Sequence, residues 1–131
     1  MNLLLDTHIW LWSVLDSARL SRKVASALVN PDNQLWLSPV SIWEVLILGE
    51  KRRITLNKET PQWIRWALER IPLRQAPLNH EVALAISEVS LPSNDPADRF
   101  LAATARVHDL KLVTTDKRLI AGKGFAVLPN R

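Results

Sequence analysis

The chain of 131 residues contains no cysteine, which excludes a disulfide framework and a thiolate metal site. Any bound metal has to rest on carboxylates, imidazoles or backbone oxygens, and a reducing compartment fits. No window approaches the 18 or so uninterrupted apolar residues of a spanning helix. The N-terminal run Met1-Asn2-Leu3-Leu4-Leu5 lacks the basic lead of an export signal and is interrupted by Asp6 and His8. A cytoplasmic protein with no membrane association is therefore expected. Internal repeats, low-complexity segments and linkers rich in Gly or Ser are also missing. With 47% hydrophobic residues, the length suffices for one core and is short for two, so a single domain over residues 1–131 is expected.

What the chain does have is a basic balance, 17 Lys and Arg against 13 Asp and Glu. That excess suggests a polyanionic partner. The densest basic run, Lys51-Arg52-Arg53, is followed by Lys58, Arg65, Arg70 and Arg74. It reads equally as a solvated helix end and face or as a nucleic-acid contact. Short apolar runs suited to strands (3–5, 35–37, 73–77, 111–115 and 125–128) alternate with helical patterns (9–15, 22–29, 40–49, 61–71, 80–89 and 97–108). Alternation of this kind predicts an α/β fold on a parallel sheet. Pro72 and Pro77 confine the third strand to a short or edge position. The six tryptophans (10, 12, 36, 43, 63 and 66) are read as core or subunit-interface residues rather than a base-stacking surface, because Trp63 and Trp66 share one helix face and Trp36 lies in a strand.

Four acids stand at the ends of strands or the starts of helices, and each has a sufficient local explanation. Asp6 follows the first strand and suits a helix N-cap. Ser41 and Glu44 have the spacing of a capping box. Asp95, Pro96 and Asp98 read as cap, first helical residue and first-turn acid. Asp116 ends the strand run Leu112 to Thr115 and suits a cap or turn. Their joint placement says more than any one of them, since sites of open α/β sheets form outside the carboxyl ends of the strands. Like charges about 4 Å apart repel by roughly 4 kcal/mol at an effective dielectric near 20. Their convergence therefore calls for a hard divalent cation, Mg²⁺ or Mn²⁺.

The blocks Leu4-Leu5-Asp6-Thr7-His8, Ser38-Pro39-Val40-Ser41-Ile42-Trp43-Glu44, Asp95-Pro96-Ala97-Asp98-Arg99 with Ala102-Ala103-Thr104-Ala105, and Leu112-Val113-Thr114-Thr115-Asp116 occur in one order along nearly the whole chain. Together they resemble the PIN-domain ribonucleases, and within them the VapC-type toxins of toxin–antitoxin pairs. The resemblance implies a three-layer α/β/α sandwich with a central parallel sheet. It also implies a Mg²⁺-dependent endoribonuclease whose acidic quartet is Asp6, Glu44, Asp98 and Asp116. Asp6, Asp98 and Asp116 would anchor one or two ions, and Glu44 would hold a second ion or orient the attacking water, leaving 5′-phosphate and 3′-hydroxyl ends. Thr7, Ser41, Asp95 and Thr114 are candidates to support those acids, with ordinary capping and turn bonding as the alternative. Arg99 is open to a phosphate contact or a structural ion pair. Related toxins often carry a histidine shortly before the Asp-Pro-Xaa-Asp-Arg block, where this chain has Leu91-Pro92-Ser93-Asn94. His8 is closer in sequence to an acid than His80 or His108, and a packed or surface role suits it better than a ligand role. The implied partners are an RNA substrate, a small protein antitoxin and a second copy of the chain. The rival readings are a non-catalytic module that keeps the fold to bind RNA or protein, against which the intact quartet argues, and a haloacid-dehalogenase-type phosphotransferase. The latter wants a second aspartate where this chain has His8.

Overall fold

A computed structural model describes all residues, 1–131. Five strands, β1 (Asn2–Leu5), β2 (Gln34–Leu37), β3 (Arg74–Gln75), β4 (Lys111–Thr114) and β5 (Ala126–Pro129), pair in the order β3-β2-β1-β4-β5. Every pairing is parallel. The helices are α1 (Thr7–Leu15), α2 (Arg22–Val29), α3 (Pro39–Glu50), α4 (Thr60–Leu68), α5 (His80–Ala85), α6 (Pro96–Val107) and α7 (Lys117–Ile120), with single 3₁₀ turns at 17–19 and 86–88.

A central parallel strand is buried on both faces and so reads as a continuous apolar run. Leu3, Leu4 and Leu5 of β1 are fully buried. Their alternation divides the core into two layers. Leu3 and Leu5 pack with Ile9 and Trp10 of α1, Val24 of α2, Val45 of α3 and Trp63 of α4 on one side. Leu4 and Leu112 pack with Val40, with Ala97, Leu101 and Ala105 of α6, and with Leu119 of α7 on the other. The small stripe on α6 lets the helix lie close to the sheet, and α5 closes over its far side through Val82, Ala85 and Ala103. The result is the α/β/α sandwich. No helix is long and apolar enough to cross a membrane.

Four expectations need correction. The third strand shrinks from 73–77 to Arg74–Gln75, at the sheet edge as its flanking prolines require. The helix expected over 61–71 ends at Leu68, and that over 80–89 passes into a 3₁₀ turn at Ile86. The capping box is absent. Ser38 caps α3 by accepting from Val40 N at 3.0 Å, with Pro39 as first helical residue. Ser41 is thus helical already, and Glu44 lies in the second turn rather than the first.

The tryptophans divide into three kinds. Trp10 and Trp63 are buried with ring centroids 5.9 Å apart. Trp12, Trp36 and Trp66 are half-buried under cations, Arg19 over Trp12, Arg74 over Trp36, and Lys58 and Arg70 over Trp66. Part of the basic run is thereby bound to indole faces. Trp43 alone is 52% exposed.

Candidate active site

The strand order turns over between β1 and β4: the chain moves outward from β1 to β2 and β3 on one side, and from β4 to β5 on the other. The carboxyl ends of two such strands leave a crevice between the connections that diverge from them. Asp6 ends β1, and its N–H extends the ladder by donating to Val113 O at 3.0 Å. Asp116 follows β4 by two residues and caps α7, accepting from Arg118 N at 2.8 Å.

A buried threonine ties these two aspartates together. Thr114 donates from Oγ1 to Asp6 Oδ2 at 2.6 Å and accepts from the Asp116 N–H at 3.0 Å. The other oxygen of Asp6 caps α1, accepting from Thr7 N at 2.8 Å. Thr7 in turn donates from Oγ1 to Glu44 Oε1 at 2.5 Å. A hydroxyl has one proton to give, and a carboxylate is the better acceptor, so the Ser41 hydroxyl 2.9 Å away serves as donor to Thr7. Thr7, Ser41 and Thr114 are fully or almost fully buried.

The second half of the site is built by α6 and α7. Asp95 caps α6 through Ala97 N at 2.9 Å, and Asp98 stands in its first turn, buried. Ser93 donates to Asp98 Oδ2 at 2.8 Å and accepts from Asp95 N at 3.1 Å. Arg118 closes the circuit, reaching Asp116 Oδ2 at 3.0 Å and Asp98 Oδ2 at 3.6 Å. One connected series of polar contacts therefore runs from Glu44 through Thr7, Asp6, Thr114, Asp116 and Arg118 to Asp98 and Ser93.

The electrostatics follow from burial. Desolvation raises the Asp6 and Asp98 carboxyls above the usual aspartate range, against the hydrogen bonds from Thr114 and Ser93 respectively, and neighbouring acids add to the rise. Glu44 is pushed up to about 7, by desolvation first and then by the charges of Asp6, Asp95 and Asp98, while the Thr7 bond opposes. Asp116 goes the other way, because the Arg118 hydrogen bond favours its ionised form.

An all-oxygen set of buried acids that raise one another's pKa is chemically suited to a hard divalent ion. No three of the Asp, Glu and His side chains stand close enough as placed to share one ion.

A PIN-domain family model matches residues 3–124. The chain belongs to the PIN-domain family. Within it the chain is of the VapC type, being 35% identical over 121 residues to Ribonuclease VapC22 of Mycobacterium tuberculosis, across 90% of this chain and 89% of that protein. Among solved structures, it is similar to VapBC2 from Rickettsia felis bound to a DNA fragment from their promoter, with TM-score 0.72, 14% identity and 98% of both chains covered. DNA-bound VapBC from Salmonella typhimurium aligns with TM-score 0.71 at 14% identity, covering 100% of this chain and 99% of that one. At such identities the likeness speaks for the fold.

In this PIN domain, Asp6, Glu44, Asp98, Asp116, Thr7, Ser41 and Thr114 all belong to the connected series. Asp95 is exposed and acts as a cap, near enough to raise Glu44 and Asp98 by its charge. Arg99 is half-buried and makes no ion pair, so the structural pairing considered for it is absent; the ion pairs of the fold involve Arg19, Arg106 and Arg118. His8 is exposed and tilts against Trp12, with ring centroids 5.9 Å apart. Sequence reasoning missed Ser93 and Arg118. The spacing Ser93-Asn94-Asp95 before a Pro-started helix was the available signal for the first. Nothing in sequence links Arg118 to an acid 20 positions earlier.

Proposed function

We propose that the chain is a divalent-metal-dependent endoribonuclease, the toxin of a toxin–antitoxin pair, acting in the cytoplasm as a single unit over residues 1–131. The observation that carries this reading is the unbroken polar series joining Asp6, Glu44, Asp98 and Asp116 on the carboxyl rim of the sheet. The name of the ribonuclease relative and the likeness to toxin–antitoxin complexes support it.

Asp6, Asp98 and Asp116, with Glu44, would hold Mg²⁺ or Mn²⁺. Such an ion supplies Lewis acidity, which acidifies water and offsets charge on phosphate oxygens. The chain's own groups do the positioning. Thr7 fixes Oε1 of Glu44, leaving Oε2 to orient the attacking water and take its proton. Thr114 and the Thr7 N–H each hold one oxygen of Asp6, and Ser93 holds Oδ2 of Asp98, so the acids keep their orientation while remaining lone pairs face the site. In-line attack on an RNA phosphodiester then leaves 5′-phosphate and 3′-hydroxyl ends.

A small protein antitoxin is one partner proposed, and the groove of about 490 Å³ beside exposed Trp43, lined also by Leu37, Pro39, Ile42, Leu46 and Leu73, is an apolar surface open to a partner. A second copy of the chain is the further partner expected of the family.

Incubation of the purified protein with single-stranded RNA tests the activity. Cleavage is expected in Mn²⁺ or Mg²⁺, and loss of it in EDTA, in Asp6→Asn and in Asp98→Asn, with each variant folded by circular dichroism. Cleavage that persists in EDTA or in both folded variants sinks the carboxylate–metal mechanism.

A further inference from the structure

Arg118 is the one cation in contact with the acids of the site. Its Nη2 lies 3.0 Å from Asp116 Oδ2 and 3.6 Å from Asp98 Oδ2, and its Nε lies 3.3 Å from Asp116 Oδ1. The remaining ion pairs, Arg19 with Asp16 and Arg106 with Glu88, lie elsewhere. A guanidinium that bridges two carboxylates and a divalent ion that ligates them compete for the same oxygens. Both cannot hold Asp98 and Asp116 at once.

We infer that Arg118 is a resident counter-cation that sets the metal affinity of the site, bridging Asp98 and Asp116 and yielding them when a divalent ion binds. The inference rests on the reading of those two aspartates as metal ligands. Three observations support an exchange over a fixed structural role. The Arg118 side chain is 53% exposed, so it can swing outward without uncovering core. Ion pairs at such a rim are weak enough to yield. Further, the cap of α7 does not need the side chain, because the Arg118 backbone N–H donates to Asp116 Oδ1 at 2.8 Å. The guanidinium is thus an addition to the local fold, directed at the acids. While bridged it offsets the repulsion between two carboxylates and shields them from adventitious cations. Its loss from the bridge is part of what metal binding costs.

The test is Mn²⁺ titration by calorimetry of the full chain, comparing wild type with Arg118→Gln and Arg118→Lys, and with Arg106→Gln as a control remote from the site. Arg118→Gln is expected to tighten the Kd for Mn²⁺ by roughly two- to fivefold, the scale of an ion pair at a protein rim. Arg118→Lys, which keeps the charge but loses the planar fork, should fall between, and Arg106→Gln should match wild type. Melting temperatures give a second readout. In EDTA, Arg118→Gln should melt below wild type, and its rise on adding Mn²⁺ should be the larger. A merely structural arginine would lower both melts equally. Wild type that binds Mn²⁺ with Arg118→Gln unchanged or weaker overturns the inference and spares the metal reading. Absence of Mn²⁺ binding in all four proteins overturns both.

Discussion

Glu44 offers the sharpest test of the site's electrostatics, because its carboxyl is raised from 4.5 to about 7. A folded state that holds a proton more tightly than the unfolded chain is most stable below the unfolded pKa. That stability is lost as pH rises from about 4.5 toward 7 and changes no further above it. At about 1.4 kcal/mol for each pH unit between the two values, the ionised side chain costs the metal-free protein at most about 3–4 kcal/mol at pH 8. Partial exposure of Glu44 brings the effective cost nearer ~2 kcal/mol through solvent screening. Glu44→Gln removes the charge and keeps an oxygen that accepts from Thr7, at the expense of the stronger charge-assisted bond. In EDTA the variant should therefore exceed wild type by about 1–2 kcal/mol at pH 8, or roughly 4–8 °C in melting temperature for a domain of this size. The gain should vanish near pH 4.5. Asp6 and Asp98 slope the same way, and because their charges couple to Glu44 the difference curve reports Glu44 together with that coupling. Saturating Mn²⁺ should reverse the ranking, since wild type then gains more from binding. A variant no more stable at pH 8, or equally stabilised at both pH values, would refute the claim that charge crowding at Glu44 strains the site.

Thr114→Val keeps the shape but strips Asp6 Oδ2 of its donor and the Asp116 N–H of its acceptor; urea unfolding should show a loss of about 1–3 kcal/mol. Gly124→Ala should destabilise by about 1–3 kcal/mol, because φ is 95° there and a Cβ would meet Glu88 O at 2.7 Å. Faster amide exchange at Ser90 and Lys123, which bridge beside it, would report the damage, and unchanged exchange at both would contradict this account.

The layers were legible because their signal is local. Leu3-Leu4-Leu5, a short apolar run ended by a helix-capping aspartate, reads as a strand buried on both faces, and the three-and-four spacing of Phe100, Leu101 and Thr104 places α6 to within a residue of Pro96–Val107. Asp6, Asp98 and Asp116 were legible because each follows a strand or begins a helix, whereas Glu44, in the second turn of α3, was placed with them by the family resemblance. What escaped were contacts whose partners lie far apart in sequence. α7 has four residues, too few to show a period. Arg118 meets Asp98 only because α6 and α7 both start at the same rim. The start of α3 was placed within a residue, but its cap was misassigned because Ser38 and Ser41 are equally good caps on paper, and Pro39, which fixes the first helical residue, was the deciding signal.

Capping and chemistry compete as explanations for an acid only while it is considered alone. Asp6 uses one oxygen for the Thr7 N–H and turns the other to Thr114. Asp116 caps α7 through Oδ1 and offers Oδ2 to Arg118. A cap residue has its backbone fixed by a strand on one side and a helix on the other, so its carboxylate is held without any dedicated scaffold. Glu44 has no such anchor, being mid-helix, and its carboxylate is placed by the Thr7 hydroxyl. The cap acids Asp6 and Asp116 are therefore set by backbone as well as by side chains, whereas Asp98 and Glu44 are oriented by the hydroxyls of Ser93 and Thr7.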